Sequence, residues 1–189
     1  MKVLLIDNYD SFTFNIVELL KQLAVIDFTV CKNDEIDSYQ AEQFDKIIIS
    51  PGPALPAQSG NIIHIIQSLA TTHSILGICL GHQAIATAFG GGLVNEMLPF
   101  HGFQTQLNQV EDHYIFNHIP HPIKVGLYHS WTVDETQLPE CLQITSYSTE
   151  NRIMSLKHKT YDIHGVQFHP ESFMTECGKL ILQNFLSKS

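Results

Sequence analysis

The pattern of apolar and polar positions changes partway along the chain. Lys2 to Ile6 is a continuous apolar run halted by Asp7, the pattern of a parallel strand buried on both faces. Phe12, Ile16, Leu19, Leu20 and Leu23 then recur at helical spacing behind Asp10 or Ser11, either of which can cap a helix. Phe28 to Cys31 and Lys46 to Ile49 predict a second and a third strand. The third runs into Ser50-Pro51-Gly52-Pro53-Ala54-Leu55-Pro56, a loop stiffened by its prolines. Ile62, Ile65, Ile66 and Leu69 mark one side of a helix that starts at Ser59 or Asn61 and runs through Ala70. Ser74 to Ile78 predicts a fourth strand, and Gln83 to Phe89 a helix of small and apolar residues.

After Gly90-Gly91-Gly92 helical periodicity disappears. Short β-leaning segments follow at Leu93 to Met97, Phe103 to Asn108, Ile123 to Tyr128, Leu142 to Ser148, Ile153 to His158 and His164 to Phe168. Beyond Thr175, Leu180, Ile181, Phe185 and Leu186 mark a terminal helix. Alternating strands and helices followed by strands alone predict an α/β fold. The expected architecture is an open, mainly parallel sheet with helices on both faces and an antiparallel extension, in one domain over residues 1–189. The triple glycine is not a phosphate loop, because no strand feeds it and no G-K-[ST] follows.

Composition narrows the function. The chain has 189 residues, 44% of them hydrophobic, enough for one sizeable core. A net charge of −9 with histidine neutral argues against a nucleic-acid or anionic-membrane partner. The first residues meet Asp7 at once, so no leader is expected, and no apolar run reaches membrane-spanning length. Cys31, Cys79, Cys141 and Cys177 are far apart with no C-x-x-C pair, which suits reduced thiols in the cytoplasm. His113, His118 and His121 cluster near Glu111 and Asp112, but Pro120 and Pro122 flank His121 and no i, i+4 pair exists, so no metal is expected there.

The candidate chemistry centres on Gly77-Ile78-Cys79-Leu80-Gly81. Gly-x-Cys-x-Gly between a strand and a helix has the spacing of a nucleophile elbow with cysteine as nucleophile. In so tight a turn the flanking positions need glycine, and the middle side chain stands free above the sheet. Cys79 would sit at a helix N-terminus, which favours a thiolate, with the Leu80 N–H placed for a developing oxyanion. The spacing alone does not separate a nucleophile from a small core residue. A partner base is needed, and His169-Pro170-Glu171 is the best candidate: in an extended segment residues two apart share a side, so the carboxylate can orient the imidazole. His82, three residues into the helix, should point away from the sulfur and pack, while His129 and His164 have no carboxylate at the matching place two residues further on.

Gly77-Ile78-Cys79-Leu80-Gly81-His82-Gln83 resembles the nucleophile motif of class I glutamine amidotransferases. Four more motifs occur in the order of one branch of that family: Asp7-Asn8-Tyr9-Asp10-Ser11-Phe12-Thr13-Phe14-Asn15, Ser50-Pro51-Gly52-Pro53, Tyr128-His129-Ser130 and Gly165-Val166-Gln167-Phe168-His169-Pro170-Glu171-Ser172. That branch comprises the small glutaminase subunits of anthranilate synthase and aminodeoxychorismate (para-aminobenzoate) synthase. The resemblance implies a flavodoxin-like sheet and a triad of Cys79, His169 and Glu171. It implies a second oxyanion N–H from Gly52 in the loop with Pro53 and Ala54. Gln83 and the backbone of Ser130 and Trp131 would hold the α-amino and α-carboxylate groups of L-glutamine. It implies no cofactor on this chain, and a chorismate-utilising partner subunit, in a heterodimer or higher heteromer, that takes the ammonia. Ala54 stands where the family's loop usually has a fourth-place glycine, Phe103 where a lysine usually follows His-Gly, and Trp131 where leucine is common. A methyl at Ala54 would narrow the pocket or forbid a positive φ. Two other readings remain at this point: a same-fold cysteine hydrolase acting on another amide, whose relatives tend to carry histidine directly after the cysteine, and a non-catalytic regulatory subunit.

Overall fold

The computed structural model describes residues 1–25, 27–109 and 111–188. Val3–Asp7 (β1), Phe28–Lys32 (β2), Lys46–Ile49 (β3) and Ser74–Ile78 (β4) form the first strands. They are interleaved with helices Thr13–Gln22 (α1), Ser38–Ala41 (α2) and Ile62–Leu69 (α3). Leu80–Ala88 (α4) follows β4 directly. The second half contributes Leu93–Gln109 (β5), Ile123–Val133 (β6), Leu142–Ser148 (β7), Ile153–His158 (β8), Ile163–Val166 (β9) and the helix Gly178–Ser187 (α5). Among the described residues these strands make one nine-stranded sheet in the order β2-β1-β3-β4-β9-β8-β7-β5-β6. The first five in that order run parallel, and each later pairing is antiparallel.

Period-2 alternation divides the core between the two faces. Val3, Leu5, Ile48 and Leu76 point to the side covered by α1 and α5, through Ile16, Leu20, Ile181 and Phe185. Leu4, Ile6, Ile47, Ile49 and Ile75 point to the other side, covered by α3 and α4 through Ile62, Ile66, Ala84 and Ile85. Most of these side chains are fully buried, and strands wetted on neither face read as unbroken apolar runs.

Several elements differ from the sequence expectation, each for a local reason. The two segments expected around Leu93–Met97 and Phe103–Asn108 are one strand, β5, with register shifts between Asn95 and Phe100 and between His101 and Phe103. A bulge interrupts the alternation without ending the pairing. The short helix α2 has no counterpart in the sequence expectation because one turn has no periodicity to detect; Asp37 starts it through a reciprocal capping box with Gln40. Helix α1 begins at Thr13, not behind a cap at Asp10 or Ser11. Phe12 is its N-cap, and Asp10 Oδ1 accepts from the Phe12 N–H at 2.8 Å while Asp7 Oδ1 accepts from the Thr13 hydroxyl at 2.8 Å. That turn takes Phe12 out of the helix's apolar stripe. At the sheet end opposite these loops, Asp162 accepts hydrogen bonds from Ser74, Tyr114, His164 and Lys188, tying α5 to the starts of β4 and β9.

Candidate active site

Strands β4 and β9 lie side by side with Ile78 opposite Val166, so their C-terminal ends open at the same edge. The Cys79 N–H adds one more rung, donating to the Val166 carbonyl at 2.8 Å. At Cys79 the chain turns sharply into α4 with φ 51° and ψ −100°. A non-glycine residue in the left-handed half of the backbone map is strained, and here the turn on both sides enforces it. A Cβ on Gly77 would sit 2.3 Å from the Gly81 carbonyl, and one on Gly81 would sit 2.6 Å from the Ile49 oxygen. The elbow is therefore closed by backbone against backbone, and the Cys79 side chain, only 6% exposed, is left facing the segment beyond β9.

That segment carries His169 and Glu171. Their Nδ1 and Oε1 atoms are 2.6 Å apart and both side chains are sealed from solvent. The carboxylate only accepts, so Nδ1 carries the proton and Nε2 is free for another partner. The residues meet through a turn, not through the extended segment that the sequence spacing suggested: the Ser172 N–H donates to the His169 carbonyl at 3.1 Å. Proline at the second position of a turn has its φ already set, which explains the departure. Burial opposes a charge on His169, but the Cys79 sulfur and then the Glu171 carboxylate outweigh it and hold the imidazole well above its ordinary value. Its Nε2 makes no hydrogen bond of ordinary geometry, so the sulfur acts on it mainly as a nearby charge.

The surrounding residues fix this pair. Phe12 and Tyr128 present ring edges to the imidazole at centroid distances of 5.5 and 5.0 Å. The Thr175 hydroxyl donates to the His169 carbonyl at 2.6 Å and accepts from the Gly126 N–H at 3.0 Å. Burial, and next the proximity of His169, lower His129 to about 4, and burial lowers His82 to about 3. His82 lies against β9, where a Cβ on Gly165 would meet its Nδ1 at 2.6 Å; the structure gives it a packing place. His113 packs on His164 with ring centroids 4.6 Å apart, away from this edge, and no group of three or more potential metal ligands converges among the described residues.

The loop after β3 forms the opposite wall. Asn8 is buried and donates from Nδ2 to the Ser50 carbonyl at 2.8 Å, accepts from Asn33 at 2.9 Å, and through its backbone N–H bonds the Ser50 hydroxyl at 2.9 Å. A Cβ on Gly52 would lie 2.5 Å from the Leu80 side chain and 2.7 Å from Asn8, so the Gly52 backbone is pressed against the start of α4. Pro53 and Ala54 continue the loop as exposed residues. Ala54 is not among the left-handed non-glycine residues, so this chain's loop makes no demand for glycine there. From the next turn of α4, Gln83 Nε2 donates to the Trp131 carbonyl at 2.8 Å, bringing the Ser130-Trp131 end of β6 beside the elbow.

The family model for class-I glutamine amidotransferases matches residues 4–189. The chain belongs to this family. Among curated relatives of the amidotransferase, anthranilate synthase component 2 of Porphyra purpurea is 43% identical over 97% of this chain and 98% of its own. Aminodeoxychorismate synthase component 2 of Escherichia coli K12 is 40% identical over 98% of this chain and the whole of its own. Among solved structures, a Thermoplasma acidophilum protein described as a candidate GMP synthase subunit superposes with a TM-score of 0.87 at 29% identity, covering 98% of this amidotransferase and 92% of its own chain.

Several residues at the amidotransferase edge escape a reading of the site from sequence. Phe12 reads there as helix packing, and Asn8, Tyr128 and Gln167 as members of motifs without individual roles. Asn8 and Gln167 leave a local signal, each as a polar residue directly after a strand buried along its whole length.

Proposed function

We propose that this chain is the glutaminase component of a chorismate-utilising synthase, with Cys79, His169 and Glu171 as its catalytic triad. The observation that carries the reading is the His169 imidazole. Its Nδ1 is held by a buried carboxylate at 2.6 Å, and the sulfur of a cysteine on a strained strand-to-helix turn acts on its charge. The His169 imidazole is thereby held toward its protonated form, ready to take the proton of the Cys79 thiol. The thiolate attacks the side-chain amide carbon of L-glutamine, and the N–H groups of Leu80 and Gly52 receive the oxyanion. His169 gives its proton to the departing nitrogen, releasing ammonia, then takes one from the water that hydrolyses the thioester to glutamate. Gln83, the Ser130-Trp131 backbone and the Gly52-Pro53-Ala54 loop line the place where glutamine's α-groups sit.

The partner reading rests on the relatives named as components of anthranilate and aminodeoxychorismate synthases. Ammonia made here passes to a chorismate-binding subunit, in a heterodimer or larger assembly, that forms anthranilate or aminodeoxychorismate. Residues 1–189 act as one amidotransferase domain, and four free cysteines suit the cytoplasm. The test is reconstitution of Cys79→Ala with such a partner. Aromatic product should vanish with glutamine and persist with ammonium salt, more so at higher pH, where free ammonia is available. Product from glutamine at the wild-type rate would refute the nucleophile. Product from neither source, in a complex that still assembles, would refute the division of labour.

A further inference from the structure

Between β9 and His169 the chain passes through Gln167, which is wholly buried. A buried primary amide brings donors on one side and an acceptor on the other, and each needs a partner. Gln167 Oε1 accepts from Gln83 Nε2 at 3.2 Å, and Gln167 Nε2 donates to the Cys79 sulfur at 3.6 Å, across 88 positions of sequence. The orientation is forced from behind. Gln83 Nε2 has two protons, and the other goes to the Trp131 carbonyl at 2.8 Å, a group that can only accept. The nitrogen of Gln83 must therefore face both neighbours. Gln167 must then turn its oxygen toward Gln83 and its NH2 toward the sulfur.

We infer that Gln167 is a further catalytic residue, its side-chain amide donating a hydrogen bond to the Cys79 sulfur, and that Gln83 is a positioning residue that keeps this donor turned to the nucleophile. This rests on the proposed glutaminase reading. A thiolate is a better acceptor than a thiol, so the bond strengthens when the imidazolium–thiolate pair forms and aligns the sulfur for attack. A neutral amide suits this place. Negative charge leaves the sulfur as the oxyanion develops, and a second cation there, added to the His169 imidazolium, would stabilise the ground state more than the transition state. The chain of bonds also ends on Trp131, in the segment assigned to glutamine's α-groups, so the substrate pocket and the nucleophile share one hydrogen-bonded line.

Two variants test the inference. Gln167→Met keeps the length and removes the donor; Gln167→Glu keeps the acceptor for Gln83 and turns a carboxylate oxygen to the sulfur. Alkylation of Cys79 by iodoacetamide, followed by peptide mass across pH, should slow about tenfold or more at neutral pH in Gln167→Met, with its pH midpoint raised, and further in Gln167→Glu. Alkylation of Cys31, Cys141 and Cys177 should be unchanged, which a general loosening of the fold would not allow. Glutamine turnover should lose a similar factor in kcat with little change in KM. A folded Gln167→Met with the wild-type alkylation profile and kcat overturns the inference. In the wild-type chain, alkylating Cys79 should also move the side-chain amide resonances of Gln167 in nitrogen-15 spectra; no movement overturns it even where neither variant folds. Glutamine turnover by Cys79→Ala at the wild-type rate would instead sink Cys79 as the nucleophile, and no glutamine turnover by the wild-type complex would sink the glutaminase reading. A dead Cys79→Ala beside an unaffected Gln167→Met sinks only the role of Gln167.

Discussion

Gly178 opens α5 against the turn that carries His169 and Glu171, and Gly178→Ala is the sharpest available probe of that contact. A Cβ there would lie 1.7 Å from the Pro170 carbonyl oxygen, more than an ångström inside any real contact, and 2.5 Å from its carbon. Both sides of the clash are backbone, so no rotamer change relieves it. Either the start of α5 or the turn must move. The helix is anchored by Ile181, Leu182 and Phe185, all fully buried, so the turn yields. Pro170 sits between the two residues whose side chains meet at 2.6 Å, and displacing it displaces them. A shift of about 1 Å in catalytic geometry costs about a hundredfold in rate, and overpacking of this kind costs about 1–3 kcal/mol of stability. Ammonia release from glutamine, measured well below the unfolding temperature, should show kcat down about a hundredfold with KM within a few-fold. Thermal unfolding should fall by several degrees, about 2–4 °C per kcal/mol for a chain of this size. Wild-type kcat together with wild-type melting would refute the steric argument. Lowered melting with unchanged kcat would mean that α5 gives way, and would refute the coupling of the helix to the active site.

Glu171→Gln replaces an acceptor-only carboxylate with a neutral amide that can also turn its NH2 to the ring, so it no longer fixes the His169 tautomer, and should lower kcat by roughly two to four orders of magnitude while Cys79 remains open to alkylation; activity within tenfold of wild type would contradict the triad. Asn8→Ala unlocks the loop bearing Gly52, and urea unfolding should show about 1–3 kcal/mol less stability with kcat lowered and Cys79 alkylation unchanged; an unaltered kcat would free Gly52 of any dependence on Asn8. His82 and His113, each lowered by burial to about 3, and His129, lowered to about 4, are neutral in the fold but take protons near 6.5 once unfolded. Their contribution is present above that value and is lost as pH falls from it toward 3–4, by up to about 1.4 kcal/mol per pH unit for each histidine. His169, raised in the fold, contributes in the opposite direction and offsets one of them. Urea unfolding at pH 5 and pH 7 should therefore differ by a few kcal/mol in favour of pH 7; equal stability would mean that these rings ionise freely in the fold.

The parallel half of the sheet was legible because a strand buried on both faces has no choice but to be apolar, and Val3–Ile6 and Ile47–Ile49 are. The elbow was legible for a related reason: Gly77 and Gly81 are required by contacts so close that no other residue fits, and such requirements leave a fixed spacing. The second half is harder to read. In β5 the bulges hide the period, and in α2 the capping box is two polar residues among many. Phe12 and Gln167 are hidden by their chemistry. A phenylalanine at helical spacing reads as core, and a lone glutamine beside a strand says nothing of the amide and the sulfur that it bridges in space. These contacts belong to the tertiary fold, and no local rule encodes them.

Because β9 lies between β4 and β8, and is supplied by residues 163–166, the thiol is synthesised well before its imidazole. On a ribosome, β1 to β4 and the elbow can form while β9 is still untranslated, with β4 as an open sheet edge. Such a nascent chain holds Cys79 without His169, Glu171 or Gln167, and its sulfur has neither a base nor a hydrogen-bond donor. On the proposed triad, the last strand to be inserted closes the edge and arms the nucleophile in the same event. A chain truncated before Ile163 is then expected to expose the β4 edge and to leave glutamine untouched.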